Sequence, residues 1–180
     1  MKKKYPGCWL WLTLTFLPLA GCAQDPEPGL GIHSYNYMDR TISSFSVDGN
    51  WGGNVFTSTP TSGGGKAICC MRMPFASELP KTYTVRWIAQ MCREQVYGGG
   101  EWFTNYRSDW REKQVQYAGP LPANPLYFEV HFYSNDDIRI EITDDYTPPR
   151  LILPVDERDQ RPGIPDWPEC TEEQKRTFAK

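Results

Sequence analysis

The chain has 180 residues, 39% hydrophobic and 23% charged, with a formal net charge of −3 at neutral pH. That length suits one domain with a real hydrophobic core, and the acidic balance argues against nucleic acid as a partner. Seven tryptophans and ten tyrosines supply interface anchors as well as core.

The N-terminal end carries Lys2, Lys3 and Lys4, then an apolar segment from Cys8 to Leu19. About a dozen residues cannot cross a ~30 Å hydrocarbon core as a helix, so the pattern reads as a signal peptide rather than a span. Directly after it, Leu19-Ala20-Gly21-Cys22 resembles the bacterial lipobox. The resemblance implies cleavage before Cys22, lipidation of its thiol and, with Ala23 rather than Asp next, sorting to the outer membrane with the polypeptide facing the periplasm. Loss of the three lysines would take the formal charge from −3 to −6. Several acyl chains anchor stably where one binds only marginally. Residues 1–21 are thus expected as signal peptide and 22–30 as a short tether, Gln24 to Gly31 carrying two prolines and two glycines.

With Cys8 removed and Cys22 lipidated, Cys69, Cys70, Cys92 and Cys170 remain. An even number in an oxidising compartment predicts two disulfides. A bond between neighbours needs a distorted peptide, so Cys69 and Cys70 are expected to pair separately with Cys92 and Cys170, in either of two ways. Adjacent cysteines also lack the two-to-four-residue spacing of a thiolate metal site; no metal and no cofactor is expected.

Taken in order, Ile32–Val47 is predicted as two strands in a hairpin turned at Asp39-Arg40. Trp51-Gly52-Gly53-Asn54 and Gly63-Gly64-Gly65-Lys66 are predicted to bound a long loop closed by Trp51. The glycines do not make a phosphate loop, because Lys66 is followed by Ala67 rather than a hydroxyl residue. Ala67–Met71 and the alternating Tyr83–Ile88 read as strands, and Gln90–Val96 as short helix or loop. Trp102, Phe103, Tyr106 and Trp110 recur at spacings of three and four, which predicts a short amphipathic helix or an aromatic loop. Lys113–Tyr117 is a further strand. Leu126–Tyr133 and Asp137–Thr143 form the clearest hairpin, with Leu126, Phe128, Val130 and Phe132 inward and Glu129 and His131 on a wet face. A short strand at Leu151–Leu153 precedes a proline-rich tail pinned by Trp167 and Cys170, and Thr171 with Gln174 has the form of a capping box.

No nucleophile–base or metal-ligand pattern stands out, so a binding protein rather than an enzyme is expected. The fold class is mainly β: a two-sheet antiparallel sandwich over residues 31–155 with one or two short peripheral helices, followed by a wrapping tail at 156–180. Trp51, Asn54, Trp102 and Trp110, in or beside predicted loops, are the candidate partner-binding residues.

Trp51-Gly52-Gly53-Asn54, Gly63-Gly64-Gly65, Cys69-Cys70 and Tyr83-Thr84-Val85-Arg86-Trp87, in that order, resemble a family of small proteobacterial lipoproteins of unknown function, over residues 29 to 145. Such proteins often neighbour phospholipase effectors of type VI secretion. The resemblance implies an immunity role in which the lipoprotein binds the cognate lipase effector and blocks it. A structural envelope lipoprotein and a small-ligand binder with a pocket at Trp51 are the alternatives.

Overall fold

The computed structural model describes residues 29–154 and 167–179. The signal peptide, Cys22, nearly all of the tether, residues 155–166 and Lys180 lie outside them. Among the described residues are eight strands in two four-stranded sheets and one short helix. The strands are β1 Gly29–Asn36, β2 Ile42–Val47, β3 Asn50–Val55, β4 Ile68–Arg72, β5 Lys81–Gly98, β6 Glu101–Tyr117, β7 Tyr127–Phe132 and β8 Ile138–Thr143; the helix is α1 Glu172–Thr177. One sheet has the order β4-β1-β7-β8, the other β3-β2-β5-β6. This is the expected two-sheet sandwich, with β1 and β7 as a parallel pair inside it.

The core follows from alternation on each strand. Leu30 and Ile32 of β1, Phe128, Val130 and Phe132 of β7, and Ile138, Ile140 and Ile142 of β8 pack against Phe45, Val47, Tyr83, Val85 and Trp87 of the facing sheet. Edge-on ring pairs join the layers, Phe45 with Phe132 at 5.2 Å and Tyr83 with Phe128 at 4.9 Å. These contacts fix the strand directions: Phe128, early in β7, meets Tyr83, early in β5, and Phe132 at the end of β7 lies 6.4 Å from Trp87. Since β1 runs parallel to β7, β5 climbs away from the end where β1 begins. It continues through Gly98, so residues 90–98, beyond the buried Ala89, run on for about 30 Å at ~3.3 Å per residue.

Several expected elements differ. Asp39-Arg40 does not turn a hairpin: β1 and β2 belong to different sheets, and the segment between them crosses the sandwich. Asn36 organises that crossing, its amide donating to the carbonyls of Arg40 and Val55 while its oxygen accepts from Met38 N. Trp51 does not close a loop; it is 62% exposed on β3. Asp48 and Gly49 both take positive φ, which suits the two-residue turn between β2 and β3. Gln90–Val96 continues β5, and Glu101–Trp110 is the first part of β6 rather than a helix. Gly99 and Gly100, both at positive φ, form the tight turn that lets Gly98 pair with Glu101. Leu151–Leu153 carries no strand. The capping box at α1 is present, with Gln174 N donating to Thr171 Oγ1 and Thr171 N to Gln174 Oε1.

The cysteine pairing is also corrected. Cys69 bonds to Cys70, and Cys92 to Cys170. The peptide between Cys69 and Cys70 is cis and brings their Cα atoms to 3.1 Å, the arrangement that a trans, extended strand would not allow.

Gly52 gives a direct test of packing. A Cβ there would enter the space of the fully buried Phe45 ring. Gly52→Ala is expected to lower stability by about 1–3 kcal/mol through overpacking, read as a lower urea midpoint with unchanged slope.

Candidate functional site

The long β5–β6 hairpin places the exposed aromatic residues. Its two strands pair from Lys81↔Tyr117 to Gly98↔Glu101, interrupted once where Ala89 is an extra residue between Ile88↔Trp110 and Gln90↔Asp109. Partners in a ladder point to one side, so each face can be read from the register. Val115 and Tyr117 face the core, and the same side of β6 carries Arg107 and Asn105, opposite Cys92 and Glu94 of β5. The other side carries Trp102, Tyr106 and Trp110.

The C-terminal segment clasps the first of these faces. Arg93 N donates to Pro168 O and Cys170 N to Arg93 O along the free edge of β5, at 2.9 and 2.8 Å. Ser108 and Ala179 exchange two backbone hydrogen bonds on the outer edge of β6. Helix α1 joins the two attachments, and the Cys92–Cys170 disulfide, 2.07 Å between sulfurs, holds the segment to the hairpin. Glu94 is only 7% exposed there, which is tolerable because it accepts from Arg107 and Asn105, both at 2.9 Å.

The opposite face is open. Trp102 is 68% exposed, the Tyr97 ring lies tilted against it with centroids 5.3 Å apart, and Tyr106 is exposed as well. Gln95 donates to Thr104 between them. Farther down, the Arg86 guanidinium lies 4.6 Å over the Trp110 ring. Arg86 pairs with Ser46, and Ser46 with Trp51, so Trp51 shares this face at the far edge of the sheet, roughly 14 Å across three strand spacings. Its indole N–H donates to Ser44 Oγ at 3.2 Å. Asn54 is exposed beside the buried Val55 on β3.

Trp51, Asn54, Trp102 and Trp110 therefore lie on one sheet but do not form a single cluster. Trp110 joins Arg86 on the body, Trp102 belongs to the hairpin tip, and Trp51 and Asn54 line the opposite edge. Tyr97, Tyr106 and Arg86 complete this surface, which the helix or loop expected around Trp102–Trp110 does not describe. The signal was present: 102, 106 and 110 are all even, so a strand aligns them as well as a helix does. Phe103, the exception, is exposed on the other side of the tip.

The supposedly wet face of the β7–β8 hairpin is a correction. Glu129 and His131 are 0% exposed, covered by the chain around Thr147 and Arg150. Glu129 accepts from Tyr35 Oη at 3.1 Å, Thr147 N at 3.3 Å, Thr147 Oγ1 at 2.7 Å and His131 Nε2 at 3.3 Å. Tyr37 Oη accepts from Arg150 N at 3.1 Å and lies 3.1 Å from His131 Nδ1. That arrangement leaves Nε2–H for Glu129, a tautomer assigned from the network. The His131 ring also stacks on Tyr35 at 4.5 Å. Beyond Tyr35 and His33, a pocket of about 390 Å³ is lined by Thr61, Gly63 and Tyr146–Pro149. Burial lowers the His33 pKa, which keeps that ring neutral.

Glu129, His131 and Glu141 bring one ligand-type atom each within 4.8 Å of the others. Glu129 already accepts from His131 and twice from Thr147, however, and shares the Tyr35 hydroxyl proton with Thr147 O, while Glu141 takes both arms of the Arg150 guanidinium. The trio is wired as a hydrogen-bonded set that fastens the Thr147–Arg150 strap to the sheet. Burial would raise the Glu129 pKa, but donation from His131 and Thr147 outweighs it and holds the carboxyl below its ordinary value of 4.5. A depressed carboxylate stabilises the fold above its unfolded pKa, and that contribution is lost as pH falls through the folded value. Glu129→Gln is expected to cost about 2–4 kcal/mol at neutral pH. It should also flatten the acid limb of stability below pH ~4.5, as measured by denaturant unfolding across pH.

Comparison with family models matches residues 35–140 to a protein of unknown function, DUF3304. That span takes in β2–β7, and with them the aromatic hairpin and the vicinal disulfide. Comparisons with curated proteins and with solved structures give no match. By the extent of the family match, the chain belongs to the DUF3304 family of proteins of unknown function.

Proposed function

We propose that this chain is a lipid-anchored, periplasm-facing immunity protein that binds and inhibits a phospholipase effector of type VI secretion. The observation that carries the binding part is the asymmetry of the β5–β6 hairpin. One face is clasped by the C-terminal segment, while Trp102, Tyr106 and Trp110 remain uncovered on the other. Exposed aromatic rings of this density on a rigid ribbon suit a protein interface. The effector identity rests on the lipobox at Leu19–Cys22 and on the lipoprotein resemblance. Together they imply the envelope as location and a membrane-attacking enzyme as partner.

The geometry suits a tethered inhibitor. Lipidated at Cys22, the protein would be held a few residues before β1 begins at Gly29, and the hairpin tip is at the other end of the sandwich. The aromatic face would then stand away from the anchor, within reach of an enzyme approaching the phospholipid surface. Confinement near that surface raises the inhibitor's effective concentration there.

Co-expression of the chain with a phospholipase encoded beside it, both directed to the periplasm, is expected to rescue growth; equal toxicity with and without the chain would sink the reading. Within it, Trp102→Ala and Trp110→Ala are each expected to weaken the complex by roughly 30-fold or more, about 2 kcal/mol, with an unchanged unfolding midpoint. Titration calorimetry with the purified pair provides that readout.

A further inference from the structure

The disulfide between the adjacent residues Cys69 and Cys70 lies on β4, at the edge of its sheet. It occupies an irregularity in register. Leu30 pairs with Met71 and Ile32 with Ile68, so both cysteines stand opposite Gly31 alone. Their surroundings differ: Cys69 is exposed, while Cys70 is half-buried against β1. A Cβ on Gly29 would come within 2.7 Å of Cys70 Cβ and 3.1 Å of its sulfur. The other disulfide is enclosed, with Cys92 at 0% and Cys170 at 8% exposure. Exchange requires a thiolate to reach one sulfur, so access decides which bond reacts and at which end.

We propose that Cys69–Cys70 is a thiol-exchange site that takes a low-molecular-weight thiol at Cys69. The incoming thiolate attacks Cys69 Sγ, forming a mixed disulfide and breaking the bond to Cys70, which leaves as thiolate. A second thiolate then attacks the small-molecule sulfur of the mixed disulfide and frees Cys69. Two substrate thiols become one disulfide, and the two electrons they give up reduce the cysteine pair. The protons they lose are taken up by Cys69 and Cys70. In an oxidising compartment the reverse sequence restores the bond, since Cys70 is next to any adduct on Cys69. The site belongs to the sheet opposite the aromatic hairpin, so it stands or falls independently of the immunity reading.

The test uses the full-length oxidised protein under native conditions. It is incubated with reduced glutathione, quenched with N-ethylmaleimide and mapped by peptide mass spectrometry. Cys69 and Cys70 are expected to be labelled on the order of 100-fold faster than Cys92 and Cys170. In a second arm, the Cys70→Ser variant is treated with oxidised glutathione and should take one glutathione at Cys69, about ten-fold faster than Cys69→Ser takes one at Cys70. Labelling of all four cysteines together, labelling only on unfolding, or equal adduct rates in the two variants would overturn the proposal.

Discussion

The pairing of β5 with β6 is the constraint on which the rest of the molecule depends. Inside the sandwich it contributes Tyr83, Val85, Trp87, Val115 and Tyr117 to the core. Outside, the same ladder runs on with neither sheet beside it. A two-stranded ribbon is at best marginal alone in water. Here its free edges receive backbone hydrogen bonds at Arg93 and Ser108, and the Cys92–Cys170 bond ties the clasp in place. The C-terminal segment thus supplies the third layer that the ribbon lacks.

The other sheet meets a similar need by different chemistry. Its outer surface could have faced water, but Tyr35, Glu129 and His131 are drawn under the chain around Thr147. A buried carboxylate is costly unless its lone pairs are occupied, and His131 Nε2, Thr147 N and Thr147 Oγ1 occupy those of Glu129, with the Tyr35 hydroxyl shared between it and Thr147 O. Irregular chain therefore covers an otherwise ordinary strand face, and the polar network specifies where it lies. The sandwich is covered on one side by this strap and is open on the other, where the aromatic residues stand.

Much of the framework could be read from the sequence. Alternation over Tyr83–Ile88 and Leu126–Thr143 marked the two central hairpin components and their inward residues, apart from Leu126, which is exposed just before β7, and Thr171 with Gln174 marked the helix start. The failures have separate causes. Trp102, Tyr106 and Trp110 are spaced by four, a multiple of both two and nearly 3.6, so periodicity could not separate strand from helix. Asp39-Arg40 looked like a hairpin turn because local signals do not report which sheet a strand joins. Glu129 and His131 looked wet because the strap that buries them is some 18 residues farther along the chain. Cys69 and Cys70 were assigned separate partners on the assumption of a trans peptide. For the candidate site, the aromatic residues were visible as residues; their shared face needed the register.

The extra residue at Ala89 has a consequence for how this chain can vary. Before it, odd-numbered residues of β5 point inward; beyond it, Gln90, Cys92 and Glu94 take that side. The single insertion thus acts as a phase shift between two halves of one strand. Removing Ala89 alone would leave Ile88 opposite Trp110 and Gln90 opposite Asp109, so both halves would keep their sides. Removing one residue from β5 farther toward the tip, with β6 unchanged, would instead turn the residues beyond it to the wrong face. Evolutionary change in hairpin length should accordingly come in matched pairs on both strands beyond this point, lengthening or trimming the arm while leaving its two sides distinct.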